Sequence, residues 1–529
     1  MPEHAQIRVG RILAASSAVT VIQTLGLAST LVKDVFVAGL FGATGITDAY
    51  LVAALIPTTF LDLLLAGTLG AAFLPLYDEC RQQEGAVSGY RLANSILSLV
   101  ILVSISITAV GALTVSHWIR ILAPGLPPAQ HRVSSDLALI MLPNILCYSI
   151  AGITKAVLNA HGEFIVPAAN FLVGSIITIA LAAALFPAFG IHGLAFGSAA
   201  AGAIQVVIQF LRLKSIGFRF RLTTSHFHHR TPSVLRRVAP TVWIILSGRG
   251  STLVERALAS TLPLGHMSQL YFAYRLVTGL ILGTANSLAT VMLPAFSSTN
   301  AQGDRAQFRR LVDLSLSMQL TVGGFLLAAV LTMANPLVAF VLGRGAFDRL
   351  AVIGTGRVLI AYAPLLVFNG AAVLLNMVFY AIGDTRKLSC TAIANGLANI
   401  AFDIVFVRLW GNAGLALGCT LAAVCSTAVS IYYLRGALPG MWRSIASADN
   451  LKVLVSGIAT AVAGFVLGRA LGLSQSGEAP DLLVLGAICS AMLLVYAALL
   501  LWLRTQAAML AVQWALRMRS RLRKGGKTV

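Results

Sequence analysis

The sequence predicts an all-α polytopic membrane protein, and three observations carry that prediction. Hydrophobic residues make up 58% of the 529-residue chain, charged residues only 11%, and the mean hydropathy is +0.86; a soluble domain carries roughly 25% charge. Apolar stretches of about twenty residues, the length that crosses a bilayer as a helix, recur from one end of the chain to the other. These runs are continuous rather than alternating, which excludes a β-barrel.

The first helix falls near 12–42. Arg8 and Arg11 precede it as they would a signal peptide, but the apolar run is too long for that and further spans follow, so it reads as an uncleaved span. The second helix falls near 46–77. Both are longer than a bilayer requires (roughly 20 residues), and are expected to be tilted, bent or extended beyond it. Four more follow near 90–117, 135–160, 165–188 and 192–213. The polar, basic segment "FRFRLTTSHFHHRTPSVLRR" then interrupts the pattern. Six helices follow near 238–262, 268–296, 312–334, 355–383, 388–409 and 414–435, and a final pair near 451–472 and 481–504, which makes fourteen. The natural division is a six-helix N-lobe over 1–215, a basic linker over 216–237, a six-helix C-lobe over 238–436, a helix pair over 437–505 and a basic tail over 506–529. Two-lobed transporters built from structural repeats have this organisation, with the site between the lobes. The halves show no convincing sequence identity to the eye, so the repeat rests on the helix count alone.

The net charge of +20 does not indicate nucleic acid, because the basic residues sit in short gaps between spans and at the C-terminus, as the positive-inside rule places them. The gap after the sixth span holds Lys214, Arg219, Arg221, Arg230, Arg236 and Arg237; later even-numbered gaps hold Arg305, Arg309, Arg310, Arg386 and Lys387; the tail holds six more. The opposite-side gap "GLSQSGEAP" holds none, although Arg120, Arg132, Arg344 and Arg349 also fall on that side. Both termini are therefore expected in the cytoplasm. Six cysteines occur, with no CxxC pair, and all but Cys80 lie in apolar runs; they read as small buried hydrophobes. His226, His228 and His229 raise the question of a metal cluster but read as a solvated loop near anionic headgroups. No metal site, cofactor or disulfide framework is expected. There is no Walker A sequence, dinucleotide turn or HExxH, and no paired acids or nucleophile–base set at plausible depth, so neither ATP-driven pumping nor membrane-embedded catalysis is expected.

Charges at bilayer depth cost at least about 2.5–3.5 kcal/mol on insertion scales and need a partner or a watery cavity. Lys33, Asp34, Asp48, Asp62, Lys155, Arg249, Glu255, Arg256, Arg275 and Asp403 are the candidates. Any one of them can be a snorkelling residue near a helix end, as Asp48 illustrates, or half of a structural pair such as one made by Glu255. As a set they concentrate in the first two helices of each lobe. Lys33, Lys155, Arg249, Arg256 and Arg275 are the cations for a basic cavity, which suits a phosphate or pyrophosphate.

"KDVFVAGLFGATGITDAY" resembles the first-to-second-span signature of the MurJ/MviN lipid II flippases, within the multidrug/oligosaccharidyl-lipid/polysaccharide (MOP) exporter superfamily. "ERALASTLPLGHMSQLYFAYRL" with "LATVMLPAFSS", and "VLGRGAFD" with "VFYAIGDTRK", resemble later stretches of the same family in the same order. The resemblance covers nearly the whole chain. It implies two six-helix lobes in alternating access, a lipid-tail groove along the last two helices, and lipid II, an undecaprenyl-pyrophosphate-linked saccharide, moved from the inner to the outer leaflet of a bacterial inner membrane. By motif, Lys33 stands where the family has an arginine before aspartate, Asp48 matches the aspartate of "FGxxxxxDAF", and Arg275 matches the arginine of "YAxRL". The chain departs from the family where "PNxxRRLFAEGAF" reads "PTTFLDLLLAGTLGAAF": the two arginines align with Leu61 and Asp62, and the acid with Ala66. Leu27 aligns with the arginine of "SRxLG". These departures keep another lipid-linked glycan, such as an exopolysaccharide repeat unit, open as the cargo. A multidrug antiporter using Asp48 or Asp62, and a non-transporting scaffold for glycan synthesis, remain as rivals. The expected partners are the lipid-linked saccharide, membrane lipids and cell-wall or polysaccharide synthesis machinery. Coupling to the membrane potential or to a monovalent ion is the energy source the resemblance leaves open.

Overall fold

The computed structural model describes residues 3–65, 68–223, 228–438, 440, 447–472, 481–506, 508–509 and 512–513; the side chains of 3–18, 20, 60–72 and 237–248 lie outside the described residues. Among the described residues every regular element is a helix. In the first part of the chain these are α1 (Glu3–Phe41), α2 (Gly45–Leu65), α3 (Thr68–Glu84), α4 (Ala86–Leu122), α5 (Pro128–Met141), α6 (Asn144–Ala160), the single turn α7 (Ile165–Ala168), α8 (Asn170–Phe189), α9 (Ile191–Ser215) and α10 (Thr231–Ala259). There follow α11 (His266–Ile281), a π-helical turn at Leu282–Asn286, α12 (Ser287–Ala301), α13 (Arg305–Leu342), α14 (Arg349–Tyr362), α15 (Leu365–Ile382), α16 (Thr385–Leu434), α17 (Ala448–Ala470) and α18 (Leu482–Trp502).

Eleven helical segments among the described residues are long and apolar enough to cross a membrane. The chain is a multi-pass membrane protein. The expected fourteen spans are not reproduced one for one. The expected helices 388–409 and 414–435 lie end to end as α16, which Gly411 (φ 58°, ψ −131°) divides into two helices at the expected place. The expected helix 46–77 is instead α2 and α3, and 46–77 and 238–262 are not among the eleven. Two other expected helices are split where proline intervenes. α5 and α6 part at Leu142–Pro143, and α14 and α15 at Ala363–Pro364. A proline lacks the N–H that would continue the ladder, and its ring crowds the carbonyl one turn back.

Helix starts in the polar gaps are fixed by short acceptors. Asp304, Asp348, Asp384 and Ser447 each accept from the main-chain N–H three residues on, at 2.9, 2.8, 3.2 and 3.3 Å, which satisfies a donor that the first turn cannot.

The turns repeat along the chain. Glycines with positive φ pair as Gly42 with Gly265, Gly85 with Gly303, Gly162 with Gly383, Gly190 with Gly411 and Gly217 with Gly440, at separations of 223, 218, 221, 221 and 223 residues. Gly190 (φ 51°, ψ −126°) and Gly411 have nearly the same backbone, and the sequences that start there, "GIHGLAFG" and "GNAGLALG", share five of eight residues. The two proline breaks, Pro143 and Pro364, are 221 residues apart as well. The internal repeat is thus written in turn chemistry rather than in the spans, whose apolar residues interchange freely.

By packing, the chain forms two compact units, Met1–Ser268 and Gln269–Val529. The first takes in α10, which the sequence reading places in the second lobe; α10 packs on α2, α3 and α4. Its core is built by α3, α4, α6 and α9 around Phe73, Tyr77, Leu92, Ile96, Ile153, Val157 and Leu213, and Phe218 of the following segment seals one end. In the second unit, α12, α13, α15 and α16 enclose Phe296, Phe308, Leu374, Leu375, Phe379 and Ile431. α17 and α18 dock on α13. Small residues allow the approach: a Cβ on Gly457 would lie 3.6 Å from the Gly324 carbonyl oxygen, and Met492 covers Gly464. The Tyr496 hydroxyl donates to the Thr321 carbonyl at 2.8 Å. Outward-facing Leu113, Leu454, Ile458, Val466, Leu483 and Leu494 are more than half exposed, an arrangement that suits lipid and would be costly in water.

Candidate functional site

The membrane-embedded charges are the residues with chemistry to offer, and the structure gives each a distinct setting. Asp48 is the most constrained. Gly42 (φ 67°) breaks the chain after α1, and the Thr47 hydroxyl donates to the Gly42 carbonyl at 2.8 Å, closing the turn into α2. One helical step on, Asp48 is 3% exposed. Its Oδ2 accepts from the Gly265 N–H at 2.6 Å and its Oδ1 from the Ser268 N–H at 2.7 Å; the Ser268 hydroxyl also donates to Oδ1. Gly265 and Ser268 flank the first residues of α11, so a carboxylate more than two hundred residues away caps that helix. Helix N-termini present unsatisfied N–H groups and a partial positive charge, and a carboxylate answers both. The seat is tight: a Cβ on Gly265 (φ 89°) would stand 2.3 Å from the Ala43 carbonyl oxygen, and one on Gly45 would press on Leu264 at 3.0 Å. Asp48 therefore does not snorkel to an interface.

Lys33 and Asp34 pair with each other near the end of α1, Nζ to Oδ1 at 3.1 Å, with the lysine side chain 20% and the aspartate 3% exposed. The neighbouring charges along the helix thus offset each other while the ammonium keeps the greater access. Arg249, Glu255 and Arg256 lie half-buried on α10. Arg249 and Arg256 are seven residues apart and so share a face, with Glu255 beside them. Lys155 is half-buried on α6. Arg275, half-buried on α11 in the second unit, places its guanidinium 5.8 Å from the centre of the Tyr271 ring one turn earlier, within cation–π range. The side chain of Asp62, on α2, lies outside the described residues, as do Leu61 and Ala66. Asp403 is fully buried on α16 and accepts from the Asn399 Nδ2 at 3.1 Å; a Cβ on Gly418 would come 2.2 Å from its Oδ1, so the glycine makes room for the carboxylate.

Sequence reasoning missed the partners. Gly265 and Ser268 were visible only as part of "LPLGHMSQ", a Pro–Gly turn before a helix, and nothing local connects that turn to Asp48. It also missed polar pairs between helices: Thr154 donates to Gln209 between α6 and α9 and Ser104 to Ser149 at 2.8 Å between α4 and α6, both buried, and Asn412 donates to Gln269 at 2.9 Å, half-buried, in the second unit. Each joins two helices through side chains that an apolar-run reading passes over.

With this geometry in hand, comparison with known proteins is informative. A family model described as "Lipid II flippase MurJ" matches residues 37–479. The lipid II flippase MurJ of Burkholderia cenocepacia is 26% identical over 486 residues, covering 89% of this chain and 93% of that protein. A probable lipid II flippase MurJ of Bdellovibrio bacteriovorus is 25% identical over 471 residues, covering 86% and 88%. Among solved structures, one titled "Lipid II flippase MurJ, inward closed conformation" superposes with a TM-score of 0.78 at 22% identity, covering 93% of this chain and 99% of that one. An inward-facing multidrug resistance MATE family transporter of the MOP superfamily superposes with a TM-score of 0.67 at 17% identity, covering 80% and 96%. At such identities these two structures speak to the fold alone.

Proposed function

Because the chain belongs to the lipid II flippase MurJ family, we propose that it moves lipid II, a polyprenyl-pyrophosphate-linked saccharide, from the inner to the outer leaflet for peptidoglycan synthesis. The single observation that carries this reading is the family match over residues 37–479. The site is open alternately to the two faces of a bacterial inner membrane, and both termini are cytoplasmic. Lys33, Arg249 and Arg256 of the first unit hold the pyrophosphate, since ionised donors to phosphate oxygens make the strong hydrogen bonds. The lipid tail stays in the bilayer along α17 and α18, whose outward apolar residues Leu454, Ile458 and Leu494 are already exposed. Asp34 moderates the Lys33 charge, and Asp48 holds the turn into α11. No ATP chemistry enters. A membrane potential is worth about 2.3 kcal/mol per charge per 100 mV, and with the inside negative it drives an anionic headgroup outward; a monovalent ion is the other possible source of energy. Synthesis machinery for the cell wall is the natural neighbour.

A second cargo is favoured by one observation: Leu61 and Asp62 stand where the family motif has two arginines. A lipid-linked glycan with different demands at the phosphate, such as an exopolysaccharide repeat unit, fits that change. Complementation separates the two. The chain is expressed in a bacterium depleted of its own lipid II flippase, and its presence in the membrane is verified by blotting. Restored growth is the expected result. Failure of a well-expressed protein would transfer the reading to the second cargo, and the first variant to make would be Asp62→Arg.

A further inference from the structure

The end of α3 carries an arrangement that the transport reading does not use. Cys80 and Glu84 are four residues apart on α3, which puts them on one face of the helix. His228 reaches the same place from the segment that precedes α10. Cys80 is fully buried, and the His228 side chain is 7% exposed. The three heteroatoms converge: Cys80 Sγ to Glu84 Oε2 is 3.7 Å, Cys80 Sγ to His228 Nε2 is 3.9 Å, and His228 Nε2 to Glu84 Oε2 is 3.4 Å.

Those lengths are close to the edges of a tetrahedron. Zinc bonds of about 2.3 Å to sulfur and about 2.0–2.1 Å to nitrogen or oxygen, set at tetrahedral angles, separate the ligand atoms by about 3.4–3.6 Å. We propose that Cys80, Glu84 and His228 form a binding site for a borderline-soft divalent cation of the zinc type, which fastens His228, and with it the start of α10, to the end of α3. The donor set of one thiolate, one imidazole and one carboxylate is the kind zinc takes, and calcium or magnesium would not accept the sulfur.

The surroundings support the site from both sides. The incoming segment is already aligned along α4: Asn94 Nδ2 donates to the Arg219 carbonyl at 3.1 Å, the Thr223 N–H to Ser98 at 2.8 Å, and the His228 N–H to Ser95 at 2.9 Å. Glu84 uses its other oxygen, Oε1, to accept from Arg230 Nε at 2.6 Å, and Arg230 Nη1 reaches Glu79 at 3.1 Å. Two carboxylates and a thiolate then balance one guanidinium and one divalent ion. The Ser88 hydroxyl bonds all three heteroatoms, at 2.6 Å to Glu84, 2.9 Å to His228 and 3.6 Å to Cys80; it stands at the fourth corner, as ligand or as the place a water takes. Loading releases the Cys80 proton, because the ligand is the thiolate. It also shifts the His228 ring proton to Nδ1, which gives up its 3.2 Å bond from the Arg230 N–H. His229 adds a second imidazole 3.4 Å from Glu84 Oε1, on the solvent side.

The test uses the untagged full chain in detergent, stripped with chelator and titrated with cobalt(II), which reports thiolate ligation by charge-transfer absorption and tetrahedral geometry by intense visible bands. The expected result is saturation at about one cobalt per chain, as a single site requires, displacement by zinc, and a zinc-dependent rise in melting temperature. Cys80→Ser and His228→Ala, each shown monodisperse by gel filtration, should lose the charge-transfer band and the zinc-dependent rise; Cys390→Ser, an exposed cysteine elsewhere, should keep both. No thiolate band in the unaltered chain, or a band that survives both Cys80→Ser and His228→Ala, would overturn the assignment and leave the cluster as a hydrogen-bond network only.

Discussion

Replacing Asp48 by alanine should cost more than its position near the start of a span would suggest. The substitution leaves two main-chain donors, the N–H groups of Gly265 and Ser268, without the oxygens they reach at 2.6 and 2.7 Å. The Ser268 hydroxyl has an alternative in the Thr44 carbonyl, 3.4 Å away, and so loses less. An orphaned buried donor costs about 1–3 kcal/mol, while loss of a helix N-cap alone costs about 0.5–2 kcal/mol. Hydrogen bonds between helices in membranes fall at the low end of such scales, so the working figure for Asp48→Ala is about 2–4 kcal/mol. Asp48→Asn retains one oxygen but turns an amide donor toward the other N–H, and should fall about midway. Ser268→Ala removes only the hydroxyl and should cost about 0.5–1.5 kcal/mol. Reversible unfolding in mixed detergent, followed by tryptophan fluorescence, ranks the three variants. If Asp48→Ala is no worse than Ser268→Ala, or if Asp48→Asn is the worse of the two Asp48 variants, then water satisfies this turn and the capping argument fails.

Other outcomes follow from the same geometry. Gly265→Ala forces a Cβ to 2.3 Å from a carbonyl oxygen at φ 89°, and should destabilise by about 2 kcal/mol or more in the same unfolding experiment. Gly190→Ala and Gly411→Ala carry nearly the same backbone and should each cost about 1–3 kcal/mol; a large difference between them would mean that neighbours rather than dihedral strain decide the cost. Neutralising Lys33, Arg249 or Arg256 should weaken headgroup binding, each lost charge-assisted bond being worth about 1.5–3 kcal/mol, read as reduced rescue in the complementation strain at equal expression. Asp384 caps α16 and is held below the usual aspartate value of 3.8 by the Lys387 ammonium, at 2.7 Å, and by the Lys387 N–H. Its contribution is therefore complete above pH 3.8 and is lost as the pH falls through the depressed value, so the stability gap between the unaltered chain and Asp384→Asn should close in acid; a gap that stays constant would refute the assignment.

What the sequence revealed was set by the range of each interaction. Apolar runs are local, so the helices were legible, and the resemblance carried by "KDVFVAGLFGATGITDAY" led to the family that the match over 37–479 establishes. The splits at Pro143 and Pro364 were legible in principle, but a continuous apolar run on both sides masked them. The repeat was sought in the spans, where apolar residues of similar volume such as Leu, Ile and Met substitute for one another at small cost, and was missed. It survives in the glycines, where a positive φ admits few alternatives. Asp48 stands in the sequence as one of ten charges at bilayer depth and as the example of one that snorkels at a helix end; its partners lie 217 and 220 residues away, and no local pattern points to them. Cys80 reads as a small hydrophobe with the other cysteines because no CxxC pair is present, and it is indeed buried; nothing local brings it together with His228, which comes from a segment that looks merely solvated.

The matched turns also supply a ready coordinate system for spectroscopy. A Cβ at Gly162 or at Gly383 would meet nothing within 4 Å, so a one- or two-residue insertion bearing a spin label or fluorophore has room there, and exposed turn tips tolerate such insertions best. The two sites are equivalent points of the two copies. A distance between labels placed there, recorded across a transport cycle, would report relative displacement of the copies directly, without a reference frame taken from any other protein.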